Sequence, residues 1–153
     1  MTSTTHQAAA ILPAAAPDLP DIERLLTDNG LPLAGVREAL GDFFVARAEG
    51  QLVGVAGLEV REDHALLRSV AVRPEWRSRG VGRALVVTAI ETAESRGIQG
   101  MYLLTTTAER YFPSFGFETI GREQVPAALR ATDEFTKACP DTATVMRRPM
   151  KQD

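Results

Sequence analysis

The chain has 153 residues, 44% of them hydrophobic, which fits one domain with a sizeable core. Its net charge of −3 argues against nucleic acid as the main partner, and no run approaches the ~18 apolar residues of a membrane helix. One cysteine, Cys139, cannot form an intrachain disulfide, and with two histidines it cannot complete a zinc site without carboxylates. We therefore expect no metal and a reducing cytoplasm.

Short elements are predicted before residue 43. Residues 1–7 are small and polar and predict a disordered tail, which leaves residues 8–153 as the single domain. A first strand is predicted at residues 8–12. Asp18 is of a residue type that caps helices, and the apolar residues after it recur at helical spacing: Ile22, Leu25 and Leu26. A second, shorter helix is predicted at residues 36–40.

An antiparallel meander is predicted next. Strands at residues 43–48 and 52–59 flank a Glu-Gly hairpin turn, and residues 64–72 form the third strand. Gly54 and Gly57 lie inside the second strand, where glycine indicates a bulge or a close approach of another group to the backbone. Three such strands, followed by a helix and a further strand, predict an α+β sheet with helices on its faces.

The centre of the chain predicts a strand, a glycine loop and a helix in that order. Residues 70–72 end the strand, and a loop of the pattern Arg-x-x-Gly-x-Gly follows, made of Arg77, Gly80 and Gly82. Residues 84–96 predict an amphipathic helix. Backbone N–H groups and the positive helix end then converge on one point, which suits a phosphate group. The loop lacks the Lys-Ser/Thr of a Walker A loop and the third glycine of a dinucleotide fingerprint.

A second motif follows a predicted strand at residues 101–104. Its spacing, Thr-x-x-Ala-x-x-Tyr-Phe-x-x-x-Gly-Phe, runs from Thr105 to Phe117 and begins a short helix. Together with the glycine loop, this motif resembles the GNAT (Gcn5-related) N-acetyltransferase superfamily, in which the first position is often Asn. The resemblance covers about residues 8–120. It implies a GNAT-like α+β fold, with a mixed, mostly antiparallel central sheet and helices on both faces.

The resemblance implies acetyl-CoA as cosubstrate and an amine as acceptor. By position, the end of the strand would hold the pantetheine arm through its backbone, and the loop would wrap the pyrophosphate. Four arginines between residues 73 and 83 favour anion binding there. The residues implied for acetyl-CoA binding are Val70, Ala71, Val72, Arg77, Ser78, Arg79, Gly80, Val81, Gly82, Arg83 and Thr105.

The thiolate that leaves during acetyl transfer needs a proton donor. In many relatives a tyrosine is thought to fill this role, but Phe112 holds that position here. Tyr111, one residue earlier, is the candidate, and water or a threonine of residues 105–107 is the alternative.

A base for the amine and a donor for the oxyanion complete the chemistry. The resemblance implies a bulged strand near Val70 as the source of the backbone donor. Glu59 and His64 are the candidate bases, although each could instead be an ordinary strand-end or turn residue. Ser69 could relay a proton or bind the substrate.

The tail narrows the resemblance. After a predicted helix at residues 125–130, the pattern Val-Pro-Ala-Ala, Glu-Phe and Cys-Pro-x-x-Ala-x-x-Met looks like the GNAT branch found in arsenic-resistance gene clusters. That branch implies an amine-bearing arsenical or a related toxic amino-acid-like compound as acceptor. Cys139 could contact arsenic or simply be a buried small residue. An acceptor carboxylate could be held by one of three arginines, which could equally face water: Arg37, Arg68 and Arg122.

Other functions stay open at this point. The shifted tyrosine and the undefined base would also fit a non-catalytic module that senses acetyl-CoA. A protein N-acetyltransferase is a further alternative. A last strand is predicted at residues 144–148, and the fold analogy leaves open a homodimer through it.

Overall fold

The computed structural model describes residues 9–138 and 142–150, and one mixed sheet runs through this part of the chain. Its strands are β1 Ala10–Pro13, β2 Phe43–Ala48, β3 Gln51–Arg61, β4 His64–Val72, β5 Gly100–Thr105, β6 Glu118–Ile120 and β7 Thr144–Pro149. Their order across the sheet is β1-β2-β3-β4-β5-β7-β6. Neighbours are antiparallel except β4 and β5, which are parallel. The predicted disordered tail and Cys139 lie outside the described residues.

Helices cover both faces of this sheet. They are α1 Leu19–Asp28, α2 Val36–Ala39, α3 Val81–Ser95 and α4 Ala127–Arg130, and a π-helical turn follows at Glu134–Ala138. Leu66 and Leu67 are neighbours on β4 and therefore point to opposite faces. Leu67 packs in the core cluster of α3, and Leu66 packs in that of α4. The apolar stripe of α1 packs against β2 and β3. The predicted fold class is confirmed.

Helix α3 begins earlier than the sequence predicted. The predicted start was residue 84, but the helix begins at Val81, because Gly80 has φ of 83° and turns the chain directly into the first helical turn. Gly82 consequently lies inside that turn rather than in the loop. Both β6 and the π-helical turn are short, and neither was predicted.

Asp18 lies at the N-cap position of α1, as predicted, but its side chain makes no capping hydrogen bond to that helix. Its carboxylate accepts the N–H of Ala15 at 2.8 Å and forms an ion pair with Arg47 of β2. The hydrogen bond from Arg47 holds the pKa of Asp18 below its usual value. Asp18 thus connects the turn before α1 to the sheet through Arg47, which is remote in the sequence.

The two glycines of β3 lie where another group closely approaches the backbone, and one of them also lies beside a bulge. An added Cβ at Gly57 would overlap the ring of Phe43, so this glycine gives the ring its place. Gly54 gives the same room to Leu85 of α3, and the register of β2 and β3 also shifts beside it, at Val53. Glycine at these positions therefore lets a helix and an aromatic ring approach the strand.

Strand β7 lies between β5, which pairs with all of its residues, and β6, which pairs only with residues 145–147. A homodimer through this strand stays a prediction. Within residues 9–138 and 142–150, no helix has the length and apolar character needed to cross a bilayer.

Candidate active site

Strands β4 and β5 separate and open a wedge in the sheet. They are registered from His64 opposite Gly100 to Leu66 opposite Tyr102, and the register ends there. Beyond this point the gap between them is a pocket of about 300 Å³, here called the wedge pocket. Its walls come from β4, β5, the loop after α1, the segment after β5 and the π-helical turn.

A bulge in β4 lies beside the wedge. Ser69 has φ of 60°, and Ser69 and Val70 together lie opposite Ala56 of β3. A bulge leaves one residue outside the ladder of backbone hydrogen bonds. It also changes the alternation of the strand, so that Val72 packs on the side of Val81 and Leu85 of α3, and Ala71 packs on the side of α1. The bulged strand that the resemblance implied near Val70 is therefore present.

A second pocket, of about 520 Å³, lies at the start of α3 and is here called the loop pocket. It is lined by backbone and side chains from the end of β4, the glycine loop and the first turn of α3. The first backbone N–H groups of a helix have no partner within the helix, and they point out of its start. Arg77 is held beside this pocket, because it donates to Asn29 Oδ1 at 2.7 Å and to the carbonyl of Val72 at 3.2 Å.

Tyr111 lies where the two pockets meet and lines both of them. Its ring packs edge-on against Phe112 and Phe115, with 5.2 Å between ring centroids in each case, and 43% of the residue is exposed. Its hydroxyl reaches the first turn of α3, where an added Cβ on Gly82 would lie 3.4 Å from it. Burial raises the pKa of Tyr111, and the charge of Arg83 opposes this effect. The phenol is therefore protonated at neutral pH.

A cluster of charges, buried except for Arg61, lies under the wedge pocket. Arg68 donates from Nη1 to Glu59 Oε1 at 2.5 Å and from Nε to the hydroxyl of Ser69 at 3.0 Å. Its Nη2 lies 3.3 Å from Glu134 Oε1, and Glu59 also pairs with Arg61 at 3.1 Å. The side chain of Arg68 has no exposed surface. We call Arg61, Arg68, Glu59 and Glu134 the ion-pair cluster.

The family model for the acetyltransferase (GNAT) domain matches residues 39–119, more than half of the chain. The chain belongs to the GNAT acetyltransferase family. The matched segment runs from the end of α2 to β6 and therefore contains β4, β5, the glycine loop and Tyr111.

Proteins similar to this GNAT chain include longer acetyltransferases. An amino-acid acetyltransferase of Aeromonas salmonicida is 30% identical over 69% of this chain and 25% of its own length. An uncharacterized N-acetyltransferase of Chlorobaculum tepidum is 33% identical over 60% of this chain and 59% of its own. N-acetylglutamate synthase from Neisseria gonorrhoeae, solved with coenzyme A and N-acetyl-glutamate, superimposes with a TM-score of 0.83 at 23% identity, over 97% of this chain and 36% of that one. The chain thus spans about a quarter to three fifths of these curated relatives.

Most residues predicted to bind the cosubstrate come together at the loop pocket of this GNAT domain. Eight of them line it: Val70, Ala71, Val72, Arg77, Ser78, Gly80, Gly82 and Arg83. Val81 instead packs its side chain in the core, and Arg79 lies over the ring of Trp76 at 4.7 Å. Thr105 lines the wedge pocket, where its hydroxyl accepts the N–H groups of Thr107 and Ala108. The role of these residues in binding stays a prediction.

The residues predicted for catalysis are spread more widely. Tyr111 and Ser69 line the wedge pocket, whereas Glu59 lies beneath it among the charges of the ion-pair cluster. His64 lies at the closed end of the wedge, with its ring edge-on to Tyr102. Glu134 lines the wedge pocket and was missed, because its place depends on a π-helical turn.

Replacing Arg68 with Met should lower the free energy of unfolding by about 3–5 kcal/mol, because Glu59 and Glu134 would stay buried without the cation that they share. Urea unfolding followed by the fluorescence of Trp76 measures this loss.

Arg37→Met is the matched control for this measurement. Arg37 pairs with Glu23 at 3.5 Å, and 70% of its side chain is exposed. Such a surface pair contributes at most about 1 kcal/mol. Equal losses in the two variants would contradict a structural role for the ion-pair cluster.

Proposed function

We propose that this chain is an acetyl-CoA-dependent N-acetyltransferase that acetylates the amine of a small amino-acid-like molecule. The observation that carries the proposal is that two pockets meet at Tyr111. One starts at the N-terminus of a helix and suits a long phosphate-bearing cosubstrate, and the other enters the wedge between β4 and β5. The similarity to an amino-acid acetyltransferase and to a synthase solved with coenzyme A supports the same reaction.

The loop pocket would hold the cosubstrate. Backbone N–H groups from Gly80 onward and the positive end of α3, a helix of 15 residues, favour the pyrophosphate. Arg77 and Arg83 add positive charge at the wall of the pocket. The backbone of residues 70–72 would hold the pantetheine arm, which directs the thioester toward Tyr111 and the wedge.

The reaction forms a carbon–nitrogen bond to the acceptor and breaks the carbon–sulfur bond of the thioester. A backbone N–H at the bulge by Ser69 and Val70 would stabilise the oxyanion. Tyr111, whose pKa is raised by burial, would give its proton to the leaving thiolate. The acceptor amine gives up its proton to water in the open wedge, because Glu59 is engaged with two arginines and does not line the pocket.

The acceptor would occupy the wedge pocket. Arg68 lines it, with Glu134 against its guanidinium, and a cation at this place suits an acceptor amine that also carries a carboxylate. The tail pattern favours an arsenical or another toxic amino-acid analogue within this class. A cytoplasmic site for the reaction is part of the proposal, in keeping with the single cysteine.

The release of coenzyme A, measured with a thiol-reactive dye, tests the proposal. Acetyl-CoA would be offered with amino acids, phosphinic and arsenical amino-acid analogues, polyamines and a histone-like peptide. Release that depends on an amino-acid-like amine is expected. Release with the peptide alone would favour a protein acetyltransferase. Tight binding of acetyl-CoA without release from any amine would favour a sensor.

Replacing Gly82 with Leu should raise KM for acetyl-CoA at least about tenfold, because the added branches would extend past Val72 and Tyr111 into the loop pocket. The added Cβ alone makes only ordinary contacts at 3.4–3.5 Å, so the fold should persist. Steady-state kinetics and direct binding of coenzyme A measure the effect. Gly41→Leu places the same side chain in open space and should bind coenzyme A normally.

Replacing Tyr111 with Phe should lower kcat about 100-fold while KM for acetyl-CoA changes little, because only the proton donor is removed. Tyr102→Phe is the control, since that hydroxyl accepts from Arg147 at 3.1 Å and lines neither pocket. A Tyr111→Phe enzyme that keeps its kcat would move proton donation to water or to a threonine of residues 105–107.

A further inference from the structure

Arg68 lines the wedge pocket although its side chain has no exposed surface. Protein groups cover the guanidinium from several sides. Glu59 and Ser69 contact it from the sheet, the carbonyl of Pro32 accepts from Nη2 at 3.5 Å, and Glu134 lies on the side of the π-helical turn. An acceptor that touches this guanidinium must therefore replace one of these contacts.

The contacts differ in strength. Glu59 lies 2.5 Å from Nη1 and is also held by Arg61, and both glutamate and arginine belong to paired strands. Glu134 lies 3.3 Å from Nη2 and comes from a five-residue turn that belongs to no strand. Glu134 is also the carboxylate of the ion-pair cluster that lines the wedge pocket. Of the two carboxylate contacts of Arg68, the weaker one, with Glu134, is thus the one that faces the proposed acceptor pocket.

Glu134 occupies the side of Arg68 that faces the wedge pocket. Arg68 and both glutamates of the cluster are buried, whereas 46% of the side chain of Arg61 is exposed. If Glu134 moved away, Arg68 would keep Glu59 but would lose its second anionic partner, unless another anion replaced it. Nη2, the nitrogen on this side, already lies against both Glu134 and the carbonyl of Pro32, so a carboxylate that approaches Arg68 from the wedge pocket meets the position of Glu134. A new anion must take its place.

We propose that Glu134 holds the position of the acceptor's carboxylate in the free protein and is exchanged for it on Arg68 when the acceptor binds. This inference rests on the proposed function, because it takes the wedge pocket as the acceptor site. Glu134 is then a specificity-determining residue. It selects amines that carry a carboxylate or a similar anion, since an amine without one leaves Glu134 in place and the pocket occupied.

Binding of a bare carboxylate tests the exchange without any turnover. Thermal unfolding would be measured in rising concentrations of sodium acetate, with acetamide as the neutral probe. In Glu134→Gln the side chain at this position carries no charge, so acetate does not have to displace an anion. Acetate should therefore stabilise the variant at a concentration about tenfold lower than the wild type needs. Acetamide should affect neither protein. The same acetate response in both proteins would overturn the exchange.

Asp133→Asn is the matched control, because it removes a carboxylate one residue earlier that does not line the wedge pocket. Its response to acetate should equal that of the wild type. If Glu134→Gln does not fold, Glu134→Asp keeps the charge but shortens the side chain. Its acetate response should then lie above that of the wild type, and an unchanged response would overturn the proposal.

Kinetics add a second readout once an acceptor amino acid is known. In Glu134→Gln, KM for that amino acid should fall about tenfold, while KM for its carboxamide stays unchanged. A rise in both values would show that Glu134 binds the amine instead, and would overturn the exchange. If no amine is acetylated, the proposed function fails, yet the acetate measurement still decides whether Glu134 and an anion compete for Arg68.

Discussion

The end of pairing between β4 and β5 after Leu66 is the constraint on which the rest of the structure depends. A sheet that opens in its middle exposes backbone groups that would otherwise pair. The bulge at Ser69 and Val70 begins on β4 three residues beyond Leu66 and moves the strand further out of the ladder of backbone hydrogen bonds. The opening is then used from both faces. The start of α3 and Tyr111 border one side, and the loop after α1 and Glu134 border the other.

Arg68 connects the stability of this opening to its chemistry. It lies next to the bulge, is fully buried, and joins β4 to β3 through Glu59 and to the π-helical turn through Glu134. Gly35 contributes by having no side chain, since an added Cβ would lie 2.8 Å from Nη1 of this arginine. One guanidinium thus lies at the floor of the wedge pocket and holds the two carboxylates packed against it. A change in one function of this residue will therefore disturb the other.

Local patterns predicted one side of the site better than the other. The glycine loop, α3 and Tyr111 lie within continuous stretches, so residue type and spacing were enough to bring most of the loop pocket together. The ion-pair cluster depends on Glu59 and Arg68, nine residues apart on two strands, and on Glu134 far along the chain. An arginine within the apolar run Leu-Leu-Arg-Ser-Val was the available signal, because a charge in a buried strand needs a partner. Its partners depend on tertiary contacts that spacing does not reveal.

The order of Tyr111 and Phe112 follows from the turn that carries them. Phe112 and Phe115 begin and end a 3-10 turn, Phe112–Phe115, in which residues three apart lie on the same side. Both rings pack in the α3 cluster with Phe117. Tyr111 precedes this pair and therefore lies off its buried side, with its ring resting on both phenylalanines. The hydroxyl of Tyr111 reaches Gly82 and the junction of the pockets, whereas Phe112 lines the wedge pocket alone. Neighbouring residues thus supply the aromatic core and the proposed proton donor.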